Sequence, residues 1–323
     1  MKAIVQTQYG SSDTLSLQEV DSPTMTDQSV LVRVHATSVN SGDWHLMRGS
    51  PFLVRFIYGS LLKPKLKILG FDVAGRVEAV GKAVTQFNPG DEVFGDLSEC
   101  GFGAFAEYVC CPETALVHKP ITASFEEAAT VPGAALTALQ GLRDVGQLQL
   151  GQRVLINGAS GGVGSFAVQI AKILGAEVTA VCNSQKLEKV RSLGADHVID
   201  YTQIDITQAR QQYDLMLDAA GFRSVFDYLP TLVPQGTYVM VGGSTVRLFQ
   251  VLLFGSIISS ISRRKVKGFA VKPNQTDLLT LKAWMEAGKL MPLIDQCYPL
   301  SELPTAIRRL EQRQVTGKVA IRV

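Results

Sequence analysis

The sequence predicts an α/β fold in which a doubly wound parallel sheet is joined to a second, strand-rich domain. Three observations carry that prediction. Short apolar strands alternate with helical segments through the middle of the chain. A glycine-rich turn links one such strand directly to one such helix. The stretch up to about residue 121 has a different texture, rich in strands and turns.

In that first region KAIVQT, LSLQEV, SVLVRVHATSV, VAGRVEAVG, DEVFG and FAEYVCC favour strands, and Gly and Pro punctuate them in NPGDEV and CGFGAF. Ser124-Phe-Glu-Glu127 is a capping-box start to the first helix of the second region. The strands there are RVLIN (153–157), EVTAVC (177–182), HVID (197–200), YDLMLDA (213–219), TYVMVG (237–242) and KVKGFA (265–270), with SFAVQIAKILG and KLEKVRSLG among the intervening helices. Strand–helix–strand spacing of this kind implies parallel pairing, because the crossover has room for a helix that covers the sheet. From about residue 289 the chain returns to strand (IDQCYPL), helix (SELPTAIRRLEQ) and strand (GKVAIRV), which have no partner in the second texture and fold back onto the first. The predicted domains are therefore 1–121 completed by 289–323, and 122–288.

A length of 323 residues suits two domains, and 46% hydrophobic against 19% charged residues excludes a disordered chain. The net charge of +2 gives no reason to expect a polyanion, so nucleic acid is not an expected partner. Five cysteines (Cys100, Cys110, Cys111, Cys182, Cys297) form no C-x-x-C pair, and MKAIVQTQYG enters a strand directly instead of forming a secretory leader. These features predict a reducing, cytoplasmic setting. The longest apolar run, Leu248 to Ile261, is too short for an integral membrane segment. It is expected to be a core or interface helix. The cations Arg263, Arg264 and Lys265 that follow make a membrane-surface helix the alternative.

The strongest motif is NGASGGVG, Asn157 to Gly164, between the strand RVLI and the helix SFAVQIAKIL. Such a turn lets backbone N–H groups approach a pyrophosphate with no Cβ in the way, and the helix N-terminus adds unpaired donors. Set against G-x-G-x-x-G, the three positions are Ala159, Gly161 and Gly164, with Ser160, Gly162 and Val163 completing the cradle. An NAD site places a carboxylate at the end of the second strand, for the ribose 2′-hydroxyl. Here that strand ends Val181-Cys182-Asn183-Ser184-Gln185-Lys186, and Glu188 comes too late. Asn183, Ser184, Lys186 and Lys189 are candidates to hold a 2′-phosphate, so the predicted cofactor is NADPH. Lys189 reads equally well as a solvated helix charge, and Tyr201, ending the third strand, either lines the adenosine side or packs.

These motifs resemble the medium-chain dehydrogenase/reductase superfamily, specifically its zinc-independent quinone oxidoreductase branch. The carriers span the chain: VNSGDWHLMRG (39–49), GFDVAGRVEAVG (70–81), PGDEVFG (89–95), AATVPGAALTAL (128–139), ASGGVGSFAVQIAK (159–172), LGADHVIDY (193–201) and GKLMPLIDQCYPLSELPTA (288–306). Within the superfamily the chain is similar to enone and quinone reductases of chloroplast-envelope and mitochondrial type. The resemblance implies a GroES-like catalytic domain beside a Rossmann domain, a homodimer, and a place for Thr137, Gly221, Gly242, Gly243, Phe269 and Val271 near the phosphates or nicotinamide. Zinc-dependent relatives carry a Cys in the segment matching Val39 to Asp43, a His-Glu pair at Phe71-Asp72 and a further Cys near Gly133. Asn40, Ser41 and Gly42 occupy the first of these segments, and Phe71 cannot ligate zinc.

Without a Lewis acid, reducing a simple ketone loses a charge stabilisation of several kcal/mol. Quinones and α,β-unsaturated carbonyls delocalise the incoming charge themselves, so the expected reaction is NADPH-dependent reduction of these small molecules. Asn40 is the first catalytic candidate, as a donor to the substrate oxygen or to the nicotinamide ribose, with a turn-residue role as the rival. Asp43 is expected to be structural, Trp44 to pack, and His45 to be a weak relay candidate. Tyr58, in the aromatic and cationic stretch Pro51 to Leu69, is a candidate proton donor. That stretch is either a rim over an apolar substrate or a surface loop. The alternatives are an enoyl-thioester reductase of the same fold and a low-turnover NADPH-binding sensor or partner module.

Overall fold

A computed structural model describes residues 1–208 and 211–323, Thr245 by its backbone alone. It divides into two compact units, Met1–Gly133 with Pro273–Gly288 and Pro292–Val323, and Ala134–Lys272 with Lys289–Met291.

The first unit opens with β1 (Lys2–Gln6) and β2 (Leu15–Glu19), an antiparallel pair. The long β3 (Ser29–Val39) follows, then α1 (Ser41–Arg48), α2 (Leu53–Tyr58), β4 (Asp72–Val80), β5 (Glu92–Asp96), β6 (Tyr108–Pro112) and β7 (Leu116–His118). Along β3 the apolar Val30, Val32 and Val34 alternate inward and meet Val73, Val77, Val93 and Leu116, which is why a period-2 sequence closes this core. The predicted capping box starts α3 (Phe125–Ala129): Ser124 Oγ accepts from the Glu127 N–H at 3.1 Å, and the Glu127 carboxylate accepts from the Ser124 N–H at 2.8 Å.

The second unit runs α4 (Pro132–Gln140, from Ala134 onward), β8 (Arg153–Asn157), α5 (Gly162–Ile173), β9 (Glu177–Cys182), α6 (Leu187–Arg191), β10 (His197–Asp200), β11 (Tyr213–Asp218), α7 (Val225–Tyr228), β12 (Leu232–Met240), α8 (Thr245–Ser262) and β13 (Lys265–Gly268). All six strands pair parallel, in the order β10-β9-β8-β11-β12-β13. The winding reverses between β8 and β11, and a reversal of that kind leaves a ligand crevice at the carboxyl ends of the strands. Of the two expectations for the apolar run, core or interface helix, α8 does not meet the first. Among its described residues only Val251, Gly255 and Ile258 are buried, while Val246, Leu253 and Ile261 are 70%, 65% and 80% exposed. Ser259 Oγ anchors it by accepting from the Val266 N–H at 2.9 Å.

The chain then gives α9 (Gln275–Glu286), β14 (Ile294–Pro299), α10 (Leu303–Glu311) and β15 (Lys318–Arg322). β15 pairs antiparallel with β3 and parallel with β14, completing a sheet of order β14-β15-β3-β4-β5-β7, with β6 also on β3. The C-terminal return therefore joins the first texture. The predicted boundaries need correction on both sides. Residues 122–133 and 273–288 belong to the first unit, because Glu126 pairs with Arg322 at 2.8 Å and the Gln275 amide donates to the Leu116 carbonyl at 2.8 Å. Residues 289–291 go with the second unit: the Gln169 amide both donates to and accepts from the Met291 backbone, at 2.9 Å each way. None of these pairings leaves a local trace in composition.

Candidate functional site

In the second unit, β8 ends at Asn157 and the chain turns through Gly158 at φ +80° before α5 begins at Gly162. The Gly161 N–H closes the turn on the Gly158 carbonyl at 3.0 Å, and the Ala159 N–H bonds the Val181 carbonyl at 3.0 Å. A Cβ on Gly164 would fall 2.1 Å from the Gly158 carbonyl oxygen, so the helix can approach the turn only with glycine there. Ala159 is fully buried, so its methyl group packs inside and does not enter the cradle. The first N–H groups of α5, on Gly162, Val163 and Gly164, have no acceptor within the helix and stand at its positive end. Ser160 is half-buried beside them.

A carboxylate that sequence reading missed supports this turn. Asp218, at the end of β11, is wholly buried and accepts from Asn157 Nδ2 at 2.9 Å, the Gly221 N–H at 2.8 Å and the Tyr238 hydroxyl at 2.7 Å. Burial pushes its carboxyl up, opposed by those donors. Asp218 thereby ties the end of β8 to the loop after β11. Gly221 (φ +54°) and Gly243 (φ +124°) meet there, and a Cβ on Gly221 would lie 2.4 Å from the Gly242 carbonyl. The three predicted glycines are thus brought together, and DAAG (218–221) was the available signal. Phe269 packs its ring against Gly141, one residue past the end of α4, the helix that carries Thr137; Val271 lies two residues beyond Phe269.

At the ends of β9 and β10, Asn183, Ser184 and Tyr201 also come together. The Tyr201 N–H donates to the Cys182 carbonyl at 3.1 Å, and Asn183 Oδ1 is buried with no partner among the described residues. Ser184 Oγ donates to the Asp200 carboxylate and lies 3.1 Å from Thr202 Oγ1. The bonds from Ser184 and Thr202 hold the Asp200 carboxyl below its usual range. A carboxylate therefore stands beside the residues expected to take a 2′-phosphate. The expectation looked only along β9, whereas Asp200 arrives from the neighbouring strand, in register with Cys182. Lys186 ends the short turn 184–186, and Lys189 is exposed on α6. The orphan amide oxygen and the glycine cradle fit a dinucleotide.

In the first unit Asn40 sits at the head of α1, and its side chain is held at both ends. Its Oδ1 accepts from Lys318 Nζ, and its Nδ2 donates to Asp72 Oδ2 at 2.8 Å. An ammonium can only donate and a carboxylate can only accept, so this fixes which way the amide points. Asp72 also accepts from Ser38 Oγ at 2.5 Å and the Gly133 N–H at 2.7 Å, and Lys318 lies 3.3 Å away. Asn40 retains one N–H, whose internal partner is a long 3.4 Å contact to Ser38. Asp43, fully buried, accepts from the Asn40 N–H at 2.8 Å, and burial pushes its carboxyl up to about 8. Nothing in the sequence pointed to that shift. His45 bonds the Ser50 carbonyl through Nδ1 at 2.6 Å and stacks on Trp44, and burial lowers its pKa. Tyr58 is exposed at the end of α2, its ring edge-on to Phe102 at 5.7 Å.

The ring of Phe71 fills the space between Gly42 and Gly133. A Cβ on Gly133 would lie 2.4 Å from the ring, and one on Gly42 would lie 3.2 Å from it. Among the described residues no three His, Cys, Asp or Glu side chains converge to hold a metal.

Residues 26–121 match the alcohol dehydrogenase GroES-like domain family and residues 193–321 match a family described as zinc-binding dehydrogenase. The chain is 34% identical over 332 residues to an NADPH-dependent alkenal/one oxidoreductase, chloroplastic, of Arabidopsis thaliana, covering 99% of this chain and 79% of that one. It is 31% identical to a chloroplast envelope quinone oxidoreductase homolog of the same plant, over 99% and 98% of the two chains. The solved quinone oxidoreductase from Coxiella burnetii superposes with a TM-score of 0.89 at 30% identity, covering 100% of this chain and 99% of that one. With the fold, the glycine cradle and these relatives in agreement, the chain belongs to the medium-chain dehydrogenase/reductase superfamily, alongside its quinone oxidoreductases and enone reductases, and is an oxidoreductase.

Proposed function

We propose that this protein is a zinc-independent, NADPH-dependent reductase of quinones and α,β-unsaturated carbonyl compounds, its first unit catalytic and its second unit coenzyme-binding. The observation that carries the reading is the Phe71 ring, packed against Gly42 and Gly133 where zinc-dependent relatives place ligands. An apolar ring there supplies no Lewis acid, so the acceptor must stabilise the arriving charge through its own conjugation.

Bound nicotinamide supplies the hydride. For the chain's own part, the N–H groups of Gly162, Val163 and Gly164 hold the pyrophosphate, with Ala159, Ser160 and Gly161 shaping the turn beneath it. Lys186, Ser184 and Asn183 hold the 2′-phosphate, flanked by Lys189 and Tyr201. Thr137, Gly221, Gly242, Gly243, Phe269 and Val271 line the nicotinamide side. Asn40, fixed by Lys318 and Asp72, offers its remaining N–H to the substrate oxygen or the ribose. Tyr58 donates the proton, and Asp43 holds the N-terminus of α1 under Asn40. The glycine turn supports a dinucleotide, and the NADPH-dependent relative supports the phosphorylated form.

The free thiols of all five cysteines support a reducing, cytoplasmic setting. β13 ends its sheet, and an edge of that kind supports pairing with a second copy as a homodimer. NADPH oxidation with an ortho-quinone, an alkyl vinyl ketone and a crotonyl thioester, each measured separately, tests the reading. Efficient turnover of the first two is expected. Preference for the thioester, or tight NADPH binding without turnover of any, would overturn it.

A further inference from the structure

We propose that α8 docks the protein onto an anionic lipid surface, its exposed apolar side entering the headgroup boundary and its flanking cations meeting the lipid phosphates. The inference is independent of the reductase reading.

Among the described residues of α8 three are buried, Val251, Gly255 and Ile258. The remaining circumference presents Val246, Phe249, Leu252, Leu253, Ile257 and Ile261 to solvent, along with Leu248 and Phe254. A groove of about 450 Å³ carries the same apolar surface across to Phe226, itself 56% exposed. Folded chains rarely leave a continuous apolar face of this kind uncovered, and its presence marks a contact with another phase or another molecule.

The charge pattern selects the occupant. Between Asp227 and Asp277 the chain has no carboxylate at all, and it has six cations: Arg247, Arg263, Arg264, Lys265, Lys267 and Lys272. Arg247 lies in the first turn of α8, and Arg263 to Lys265 follow its last turn, with Arg263 and Lys265 exposed. On α8 itself no acid stands to neutralise the cations at its two ends. A surface of anionic headgroups complements both ends of the helix at once while the apolar side chains leave water. The helix lies on the surface and does not cross it: Ser259 ties it to Val266 of β13, and among the described residues no helix is long and apolar enough to span a membrane.

The test is co-sedimentation of the full chain with vesicles of phosphatidylcholine alone and of phosphatidylcholine containing phosphatidylglycerol. Light scattering reports the oligomeric state and circular dichroism the fold. Binding to the anionic vesicles is expected to exceed binding to neutral ones by about tenfold and to weaken with salt. Leu253→Asp with Phe254→Asp is expected to abolish it, and Arg263→Glu with Lys265→Glu to reduce it by about tenfold, with the oligomeric state unchanged. If the first pair fails to fold, the second still decides, since it alters only exposed charges. Failure of the wild type to bind either vesicle overturns the proposal, as does binding that neither pair weakens. An oligomer that the aspartate pair dissociates, with no vesicle binding, makes this face a contact between copies and overturns it too.

Discussion

Lys318 and Asp72 stand 246 positions apart in the chain, yet the Lys318 ammonium lies 3.3 Å from the Asp72 carboxylate with side chains only 2% and 0% exposed. The pair survives burial because its other valences are filled: Ser38, Asn40 and Gly133 donate to Asp72, and Lys318 donates to Asn40. Removing one partner leaves the other charge stranded. Lys318→Met is expected to lower stability by about 3–5 kcal/mol, read by urea denaturation. Adding Asp72→Asn to it should recover part of the loss, so the two changes together cost less than their sum.

Asp43 is expected to make the fold sensitive to alkali. Its folded pKa of about 8, raised by burial, lies above the unfolded value of 3.8. Between those values the folded chain holds a proton that the unfolded chain has lost, so stability declines as pH rises through that window and levels off above it. Asp43→Asn keeps an oxygen for the Asn40 N–H and removes the titration. Melting temperatures at pH 6 and pH 9 should fall less in the variant than in the wild type; parallel curves would show that Asp43 is ionised throughout.

On the proposed reading, opposing charges at the ends of β9 and β10 set the choice of coenzyme. Lys186→Ala is expected to reduce kcat/KM for NADPH by about tenfold to a hundredfold, the worth of one charge-assisted hydrogen bond, and to leave NADH nearly unchanged. Asp200→Asn should move the ratio toward NADPH, because the Asp200 carboxylate that accepts from Ser184 repels a neighbouring phosphate. Equal losses with both coenzymes in Lys186→Ala would place Lys186 away from the 2′-phosphate.

Gly164→Ala brings a methyl group to 2.1 Å from a backbone oxygen that has no freedom to retreat. NADPH affinity, followed by fluorescence titration, should drop at least about tenfold, the scale of losing one or two backbone contacts to phosphate. Retained affinity would mean that the turn does not hold the coenzyme.

What the sequence made legible was what local pattern controls. RVLIN, the glycine turn and the helix after it fall at 153–157 and 162–173 because alternation of period, capping and glycine act over a few residues. The Ser124–Glu127 capping box is found at its expected residues for the same reason. The Asn40 clamp was only half visible: Asn40 stood out, but Lys318 and Asp72 are joined to it by strand pairing across most of the chain. Asp200 escaped because register between β9 and β10, and not distance along the chain, brings it to Ser184. The apolar run 248–261 was legible as a helix, but which of its faces packs depends on β13 and was not.

The central claim is that a conjugated acceptor is reduced with no metal ion taking part. Reduction of an alkyl vinyl ketone by NADPH should be measured on protein stripped of metal by a chelator, its metal content determined on the same sample. An unchanged rate, with the saturated ketone reduced at least about a hundredfold more slowly for want of a Lewis acid, is the expected result. Activity lost on stripping and restored by one equivalent of zinc would contradict it.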